Sequence, residues 1–339
     1  MIPSVVHLVD DTSPGGVTRL IDHIARSPAC ARFGVHRVET VKRGRLTPPP
    51  LAADVVVSHL SICWSNLPML TALRANFPAS PLIHVEHSYS ERFHALKVEN
   101  HERFAGLLRT AYSLFDRVVA VSDEQAGWLA RRRFVAPAAL AVVPPCVDLE
   151  PFFAVPQRRP GAVTKLAAIG RFDRQKGFDI VVDGFRLADV PGLELHLFGD
   201  GPERESLYRR AGGDRRIVFH GFTADVAGAM ARCDAVVMPS RWEPYGLVAL
   251  EAFAAGRTLI ASTADALAGH ARAGGIAVGD GSHFGWADVL SRLPTMDLDA
   301  GVTRARLHAA AAEARFAKNW QALLASLGAT PALPETLAA

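Results

Sequence analysis

The chain has 339 residues, 49% of them hydrophobic and 21% charged, with a net charge of only +3 at pH 7. Such a composition suits a foldable, soluble protein, and the length favours two domains over one. Neither half is a polycation, so no nucleic-acid partner is expected. Four scattered cysteines, Cys30, Cys63, Cys146 and Cys233, make no CxxC pair. That argues against a zinc or disulfide framework and for a reducing, cytoplasmic setting. The first residues show no basic-then-apolar leader, and no apolar run approaches the roughly 18–20 residues that cross a bilayer.

Short β-branched runs alternate with helical patterns along the whole chain. In the first half, strands are predicted at 5–9, 35–39, 54–59, 81–86, 117–121 and 141–144. Helices fall between several of them, over GGVTRLIDHIARS, WSNLPMLTALRANF, HERFAGLLRTAYSLF and SDEQAGWLARRR. The rhythm pauses at VPPCVDLEPFFAVPQRRPGAV (143–163), whose five prolines suit neither a regular helix nor a central strand. It restarts with strands at 165–169, 193–198, 217–220, 235–238, 258–262 and 276–278, again with helices between. Two successive open, mainly parallel α/β sheets are the expected architecture. The expected division is a Rossmann-like domain over 1–150, a second with terminal helices over 151–327, and a tail at 328–339. Basic runs at 41–45 (VKRGR) and 130–134 (ARRRF) read as solvated faces or, more sharply, as a peripheral contact with anionic lipid.

Open α/β sheets bind ligands beyond the carboxyl ends of their strands, and the motifs fall there. After the first strand, DDTSPGGVTRL carries Gly15 and Gly16, a pair that lets a backbone approach a phosphate closely; it is not a GxGxxG fingerprint. IHVEHSYSERF places Glu86 and His87 at a strand end, where a sugar contact is credible, and His59 ends another strand. HVEH also invites a zinc reading, but that needs a PCxxC partner the chain lacks, so no metal is expected. In AIGRFDRQKGFD, Arg171 and Lys176 precede a helix start; a guanidinium fork, an ammonium and free helix amides together suit a diphosphate. FGDGPERE has Gly199 and Gly201 but no third glycine, and DLD at 297–299 reads as a loop and helix cap.

The most informative stretch is RWEPYGLVALEAFAAGR (241–257). A turn at Pro244-Tyr245-Gly246 opens a helix that presents the amides of Gly246, Leu247 and Val248. Glu243 lies just before it, and Glu251 shares a face with Leu247 and Val248 by i, i+3 and i+4 spacing. A carboxylate that accepts two hydrogen bonds holds a vicinal diol, so two acids flanking the helix start suit sugar hydroxyls on either side of a phosphate. An unpaired charge in LVALEAFAA would otherwise cost several kcal/mol.

Together these residues resemble the retaining glycosyltransferases of family 4, with the E-x7-E pair Glu243 and Glu251 as the most specific match. GRFDRQKGFD, DAVVMPSRWEPYG, RVVAVSDEQAGWL and VVPPCVDLEPF are similar too. The resemblance implies a GT-B fold of two facing Rossmann-like domains with a cleft between them. It implies that Arg171 and Lys176 hold the donor diphosphate, Glu251 the ribose, and Glu243 with the Gly246 and Leu247 amides the sugar and phosphate. Gly15 and Gly16 would approach the diphosphate, and His87 would contact the sugar. The implied reaction moves a sugar from a nucleotide sugar, with UDP-sugar expected first and GDP-mannose second. The acceptor is a saccharide or lipid-linked saccharide of exopolysaccharide or lipopolysaccharide synthesis, configuration is retained, and neither metal nor cofactor is needed. Two departures stand out: IASTADALAGHARAGGIAVGDG lacks a Gly-Gly-x-x-Glu pattern, and Cys146 stands where Asn-Gly is common. A nucleotide-sugar epimerase on the same architecture and a non-catalytic binding protein are the alternatives.

Overall fold

The computed structural model describes residues 2–13, 15–158 and 163–329. Six strands, β1 (Ser4–Val9), β2 (Val35–Thr40), β3 (Val55–Ser58), β4 (Leu82–Glu86), β5 (Arg117–Ala120) and β6 (Leu140–Val142), form a parallel sheet ordered β2-β1-β3-β4-β5-β6. A second six-stranded parallel sheet, ordered β12-β11-β10-β7-β8-β9, contains β7 (Lys165–Ile169), β8 (Glu194–Phe198), β9 (Ile217–Gly221), β10 (Ala235–Met238), β11 (Thr258–Ser262) and β12 (Ile276–Val278). Each strand coincides with a predicted run to within a few residues. Their apolar runs are continuous because helices cover both faces of a parallel sheet. β3, β4, β10 and β11 are buried throughout, whereas the edge strand β2 is largely exposed and carries Arg37 and Glu39.

Several helices start on the side chains their sequences offer. Ser90, Asn100, Ser122, Asp225 and Ser282 each accept an amide of the first turn. The Ser90 cap begins a helix, Glu91–Lys97, that the sequence pattern does not predict.

The chain divides into one unit of Met1–Val147 with Ala312–Ala339 and another of Asp148–Ala311. The boundary falls three residues before the expected 150/151, and the last helix groups with the first unit rather than the second. The last helix, Ala312–Ser326, belongs to the first unit because its apolar face finds its partners there. Phe316 and Trp320 are buried, Trp320 stands edge-on to His7 with ring centroids 6.3 Å apart, and Ser27 Oγ donates to Glu313 Oε1 at 2.6 Å. The proline-rich bridge holds a short helix, Glu150–Phe153, with Pro151 in its first turn, where the missing N–H costs nothing. Most of the expected tail, 330–339, lies outside the described residues.

Strand order reverses between β1 and β3 in the first sheet and between β7 and β10 in the second. Connections leave toward opposite sides at such a point and open a crevice beyond the strand ends. The loops after β7 and β10 therefore flank the natural ligand position of the second sheet.

Candidate functional site

The loop after β7 is anchored by two aromatic rings. Phe172 and Phe178 are buried and meet edge to face at 5.8 Å, so the residues between them arch outward. Asp173 organises the arch: its Oδ2 accepts Arg171 Nε at 2.5 Å and its Oδ1 accepts the Lys176 amide at 3.1 Å. Gly177 then enters helix Phe178–Ala188 at φ +67°, and a Cβ there would lie 2.3 Å from the Pro239 carbonyl oxygen. Only glycine allows both the left-handed turn and that approach. The Arg241 amide donates to Gln175 O at 2.8 Å, and Gln175 Nε2 donates to Trp242 O at 3.2 Å, tying the arch to the loop after β10. Arg241 also forks onto Asp179 at 2.8 and 2.7 Å. Burial would raise the Asp179 pKa, but this guanidinium holds it below the usual carboxylate range.

Across the reversal point, Lys176 Nζ donates to Glu243 Oε2 at 2.7 Å, and Ser240 Oγ donates to the same oxygen at 3.1 Å. The Glu243 amide donates to Asp265 Oδ2 at 3.0 Å, and Glu243 O accepts the Ala266 amide at 3.2 Å. Glu243 is thus fixed at both backbone and side chain with 6% of its surface exposed. Charge-assisted bonds of this kind are short and hold geometry well. Arg171 is disposed differently: its side chain is 70% exposed and is paired with Asp173, two residues on.

Gly246, at φ +92°, begins helix Leu247–Ala254 without a side-chain cap. The first amides of a helix have no carbonyl partner within it, and Leu247 and Val248 are half-buried there. The turn before them is held by His270, whose Nε2 lies 2.9 Å from Tyr245 O and must therefore carry the proton. Burial pushes His270 down to about 4, so the ring is neutral at pH 7. Glu251 departs from expectation. It was expected to open onto ligand space beside Leu247 and Val248, but the structure encloses it at 0% exposure among Ala249, Leu250, Ala252 and Phe253, all buried. The helix is covered on every side at that level, so the face shared by spacing is not shared in exposure.

In the first unit, Gly15 lies just before helix Gly16–Arg26 in extended backbone, and a Cβ on it would meet only Ser13 O, at 3.7 Å. Neither the conformation nor crowding among the described residues requires glycine there. At the end of β4, Glu86 and His87 turn to different partners. Glu86 accepts the Ser88 and Tyr89 amides at 2.7 and 2.9 Å and the Tyr112 hydroxyl at 2.6 Å. Its burial favours a raised pKa, yet His84, Tyr112 and the Tyr89 amide together hold it below the usual value. The half-buried His87 instead places Nε2 2.8 Å from His59 Nδ1.

Among the described residues, no group of three or more His, Cys, Asp or Glu is placed to hold a metal ion. DLD lies at a helix start, with the Asp299 amide donating to Asp297 Oδ1 at 3.1 Å. Lys42, Arg43, Arg45 and Arg131–Arg133 are exposed, with Arg43 paired to Asp10 and Asp11 and Arg131 to Glu91. No helix among the described residues is long and apolar enough to cross a membrane.

The structure thus brings Lys176 and Glu243 together and adds residues that sequence reasoning passed over: Asp173, Ser240 and Asp265 around the pair, and His7 and His36 beneath His59. His7 left a signal, a histidine inside the apolar run VVHLV. Asp265, at φ +47°, left none.

Residues 164–295 match the model for glycosyl transferases group 1, and residues 45–151 match that for glycosyltransferase family 4. The chain is 34% identical over 109 residues to the lipopolysaccharide core biosynthesis glycosyltransferase LpsE of Rhizobium meliloti, a match spanning 31% of this chain and 32% of that one. It is 30% identical over 317 residues to the D-inositol 3-phosphate glycosyltransferase of Mycobacterium ulcerans, spanning 84% of this chain and 66% of that one. Among solved structures, Anabaena HepE in complex with UDP superposes with a TM-score of 0.73 at 18% identity, covering 95% of this chain and all (100%) of that one. WaaG, a glycosyltransferase involved in lipopolysaccharide biosynthesis, gives 0.62 at 17% identity, covering 93% and 98%. Two parallel six-stranded units of this kind are the GT-B fold.

Proposed function

Because the chain belongs to the family 4, group 1 glycosyltransferases, we propose that it transfers a sugar from a UDP-sugar to a saccharide or lipid-linked saccharide with retained anomeric configuration. The observation that carries this reading is the Lys176–Glu243 pair at the strand-order reversal, beside a helix that begins without a side-chain cap. An ammonium has three N–H donors. Glu243 takes one, fixes the nitrogen, and leaves the others for diphosphate oxygens. Arg171, exposed at the same loop, adds a second cation, and the amides of Gly246, Leu247 and Val248 add donors that need no reorganisation. Stabilising charge on the departing nucleoside diphosphate is the kind of electrostatic work that dominates many active sites.

In this reading Glu251 receives the ribose hydroxyls, so nucleotide binding includes local opening of its enclosure. Gly15, Gly16 and His87, at strand ends of the first unit, take the sugar and phosphate contacts implied by the family resemblance. Attack comes from the face the diphosphate leaves, with no protein nucleophile and no metal. A UDP donor is supported by HepE, solved with UDP and with UDP-glucose. A lipopolysaccharide-core acceptor is supported by the names of LpsE and of a second relative, the lipopolysaccharide core biosynthesis glycosyltransferase LpsD of Rhizobium meliloti. GDP-mannose gains no such support and serves as the contrasting donor.

A melting-temperature panel with UDP, GDP and ADP tests the nucleotide, since a ligand that binds only the folded chain raises its stability by mass action. UDP alone should shift the transition; a shift with GDP alone would replace the donor. Product analysis with a labelled donor separates transfer from epimerisation, which needs no acceptor.

A further inference from the structure

Four histidines form an unbroken row across four neighbouring strands of the first sheet. His36 lies on β2, His7 on β1, His59 just after β3 and His87 just after β4, and those strands are adjacent in that order. His36 Nδ1 is 3.0 Å from His7 Nε2, His7 Nδ1 is 2.9 Å from His59 Nε2, and His59 Nδ1 is 2.8 Å from His87 Nε2. At the outer end, His36 Nε2 lies 3.3 Å from the Cys30 carbonyl oxygen.

The carbonyl sets the direction of the whole row. A neutral imidazole has one N–H donor and one bare acceptor nitrogen. The carbonyl only accepts, so His36 carries its proton on Nε2 and leaves Nδ1 bare. His7 must then donate from Nε2, His59 from Nε2, and His87 from Nε2. The reverse direction would set a bare His36 nitrogen against the carbonyl oxygen. A second proton on any of the first three rings would put two N–H groups face to face. His7 and His59 are buried, and burial holds His7 down at about 3 and His87 at about 4, so all four rings are neutral at pH 7. The titratable groups acting on His87 are His59, its hydrogen-bond partner, with Glu86 and His84; burial pushes its pKa down, Glu86 pulls it up and His84 pushes it down.

We propose that His36, His7 and His59 are positioning residues that present His87 as a neutral ring with Nδ1 bare. His87 Nδ1 takes no hydrogen bond among the described residues. It can therefore accept a hydrogen bond and cannot give one, which suits a donor such as a hydroxyl and not a phosphate oxygen. The tautomer follows from this chain's own contacts; the identity of the hydroxyl as one of a sugar substrate rests on the transferase reading.

Long-range proton–nitrogen correlation spectra of the full chain, with nitrogen-15 histidine, report each tautomer directly. At pH 7 all four rings should carry the proton on Nε2, and His87 as an Nδ1–H ring or an imidazolium would overturn the proposal. His36→Leu, at the partly exposed end, should turn His87 into a mixture of tautomers three rings away while the backbone amide spectrum stays native. An unchanged His87 in that variant would deny the carbonyl its role. In transfer assays, His59→Leu should lower kcat/KM for the donor by about tenfold, the scale of one net hydrogen bond. His59→Asn, which keeps an acceptor oxygen for His87, should recover most of it; equal losses in the two variants count against positioning. If the transferase reading alone is wrong, the wild-type chain shows no transfer while the tautomer pattern persists.

Discussion

Lys176 and Glu243 are 67 residues apart in the chain, yet their charged atoms meet at 2.7 Å across the point where the second sheet reverses its strand order. The contact joins the loop after β7 to the loop after β10. Glu243, itself held by the Ser240 hydroxyl, orients the ammonium, and the same loops carry Arg171 and the start of helix Leu247–Ala254.

Removing the ammonium should be felt in both chemistry and stability. Lys176→Ala is expected to lower turnover on the order of 10²-fold, the scale of losing one electrostatic stabiliser. It also leaves the Glu243 carboxylate buried without its cation, so its melting temperature should fall below that of Lys176→Ala/Glu243→Ala. Steady-state kinetics and thermal melts of the two variants check this. A double variant less stable than Lys176→Ala would contradict the expectation that the orphaned carboxylate is the costlier state.

Gly177→Ala tests the junction of the two loops. The new Cβ would sit 2.3 Å from Pro239 O on a residue at φ +67°. Strain of about 1–3 kcal/mol is expected, readable as a lower urea midpoint, together with a loss of nucleotide affinity as the loops part. Gly15→Ala, which meets only Ser13 O at 3.7 Å, should melt like the wild type and show any defect in turnover alone.

The enclosed acid gives a third test. Glu251→Gln changes no volume and should keep the melting temperature within a few degrees. Turnover should drop on the order of 10²-fold if the carboxylate is kept for a ligand's hydroxyls. A variant as active as the wild type would make Glu251 a structural group.

Stability should also depend on pH in a definite direction. His7, His87 and His270 have folded pKa values of about 3, 4 and 4 against an ordinary 6.5. The unfolded chain therefore binds more protons, so their contribution is fully present above about 6.5 and is lost as pH falls toward the folded values. Each adds a slope of up to about 1.4 kcal/mol per pH unit in its window. Denaturant midpoints between pH 7 and pH 4 should fall, and His7→Phe should flatten the dependence.

Most strands were legible because they are short runs rich in apolar and β-branched residues, and the linker because five prolines interrupt any regular pattern there. Arg171, Lys176, Glu243 and the helix start were legible as types at strand ends. Their partners were not, since strand order is decided by packing and only that order brings residue 176 to residue 243. The same holds for helix Ala312–Ser326, whose apolar face announces a partner without naming the first unit, and for the histidines, spread over four separate strands. Spacing put Glu251 on the face of Leu247 and Val248, but spacing carries no information about what covers that face.

Calorimetric titration of UDP into the wild-type chain, Lys176→Ala and Arg171→Ala tests the central claim most directly. The account predicts saturable binding to the wild type, weakened at least tenfold in each variant. Undiminished affinity in Lys176→Ala, or no UDP binding by the wild-type chain, would contradict it.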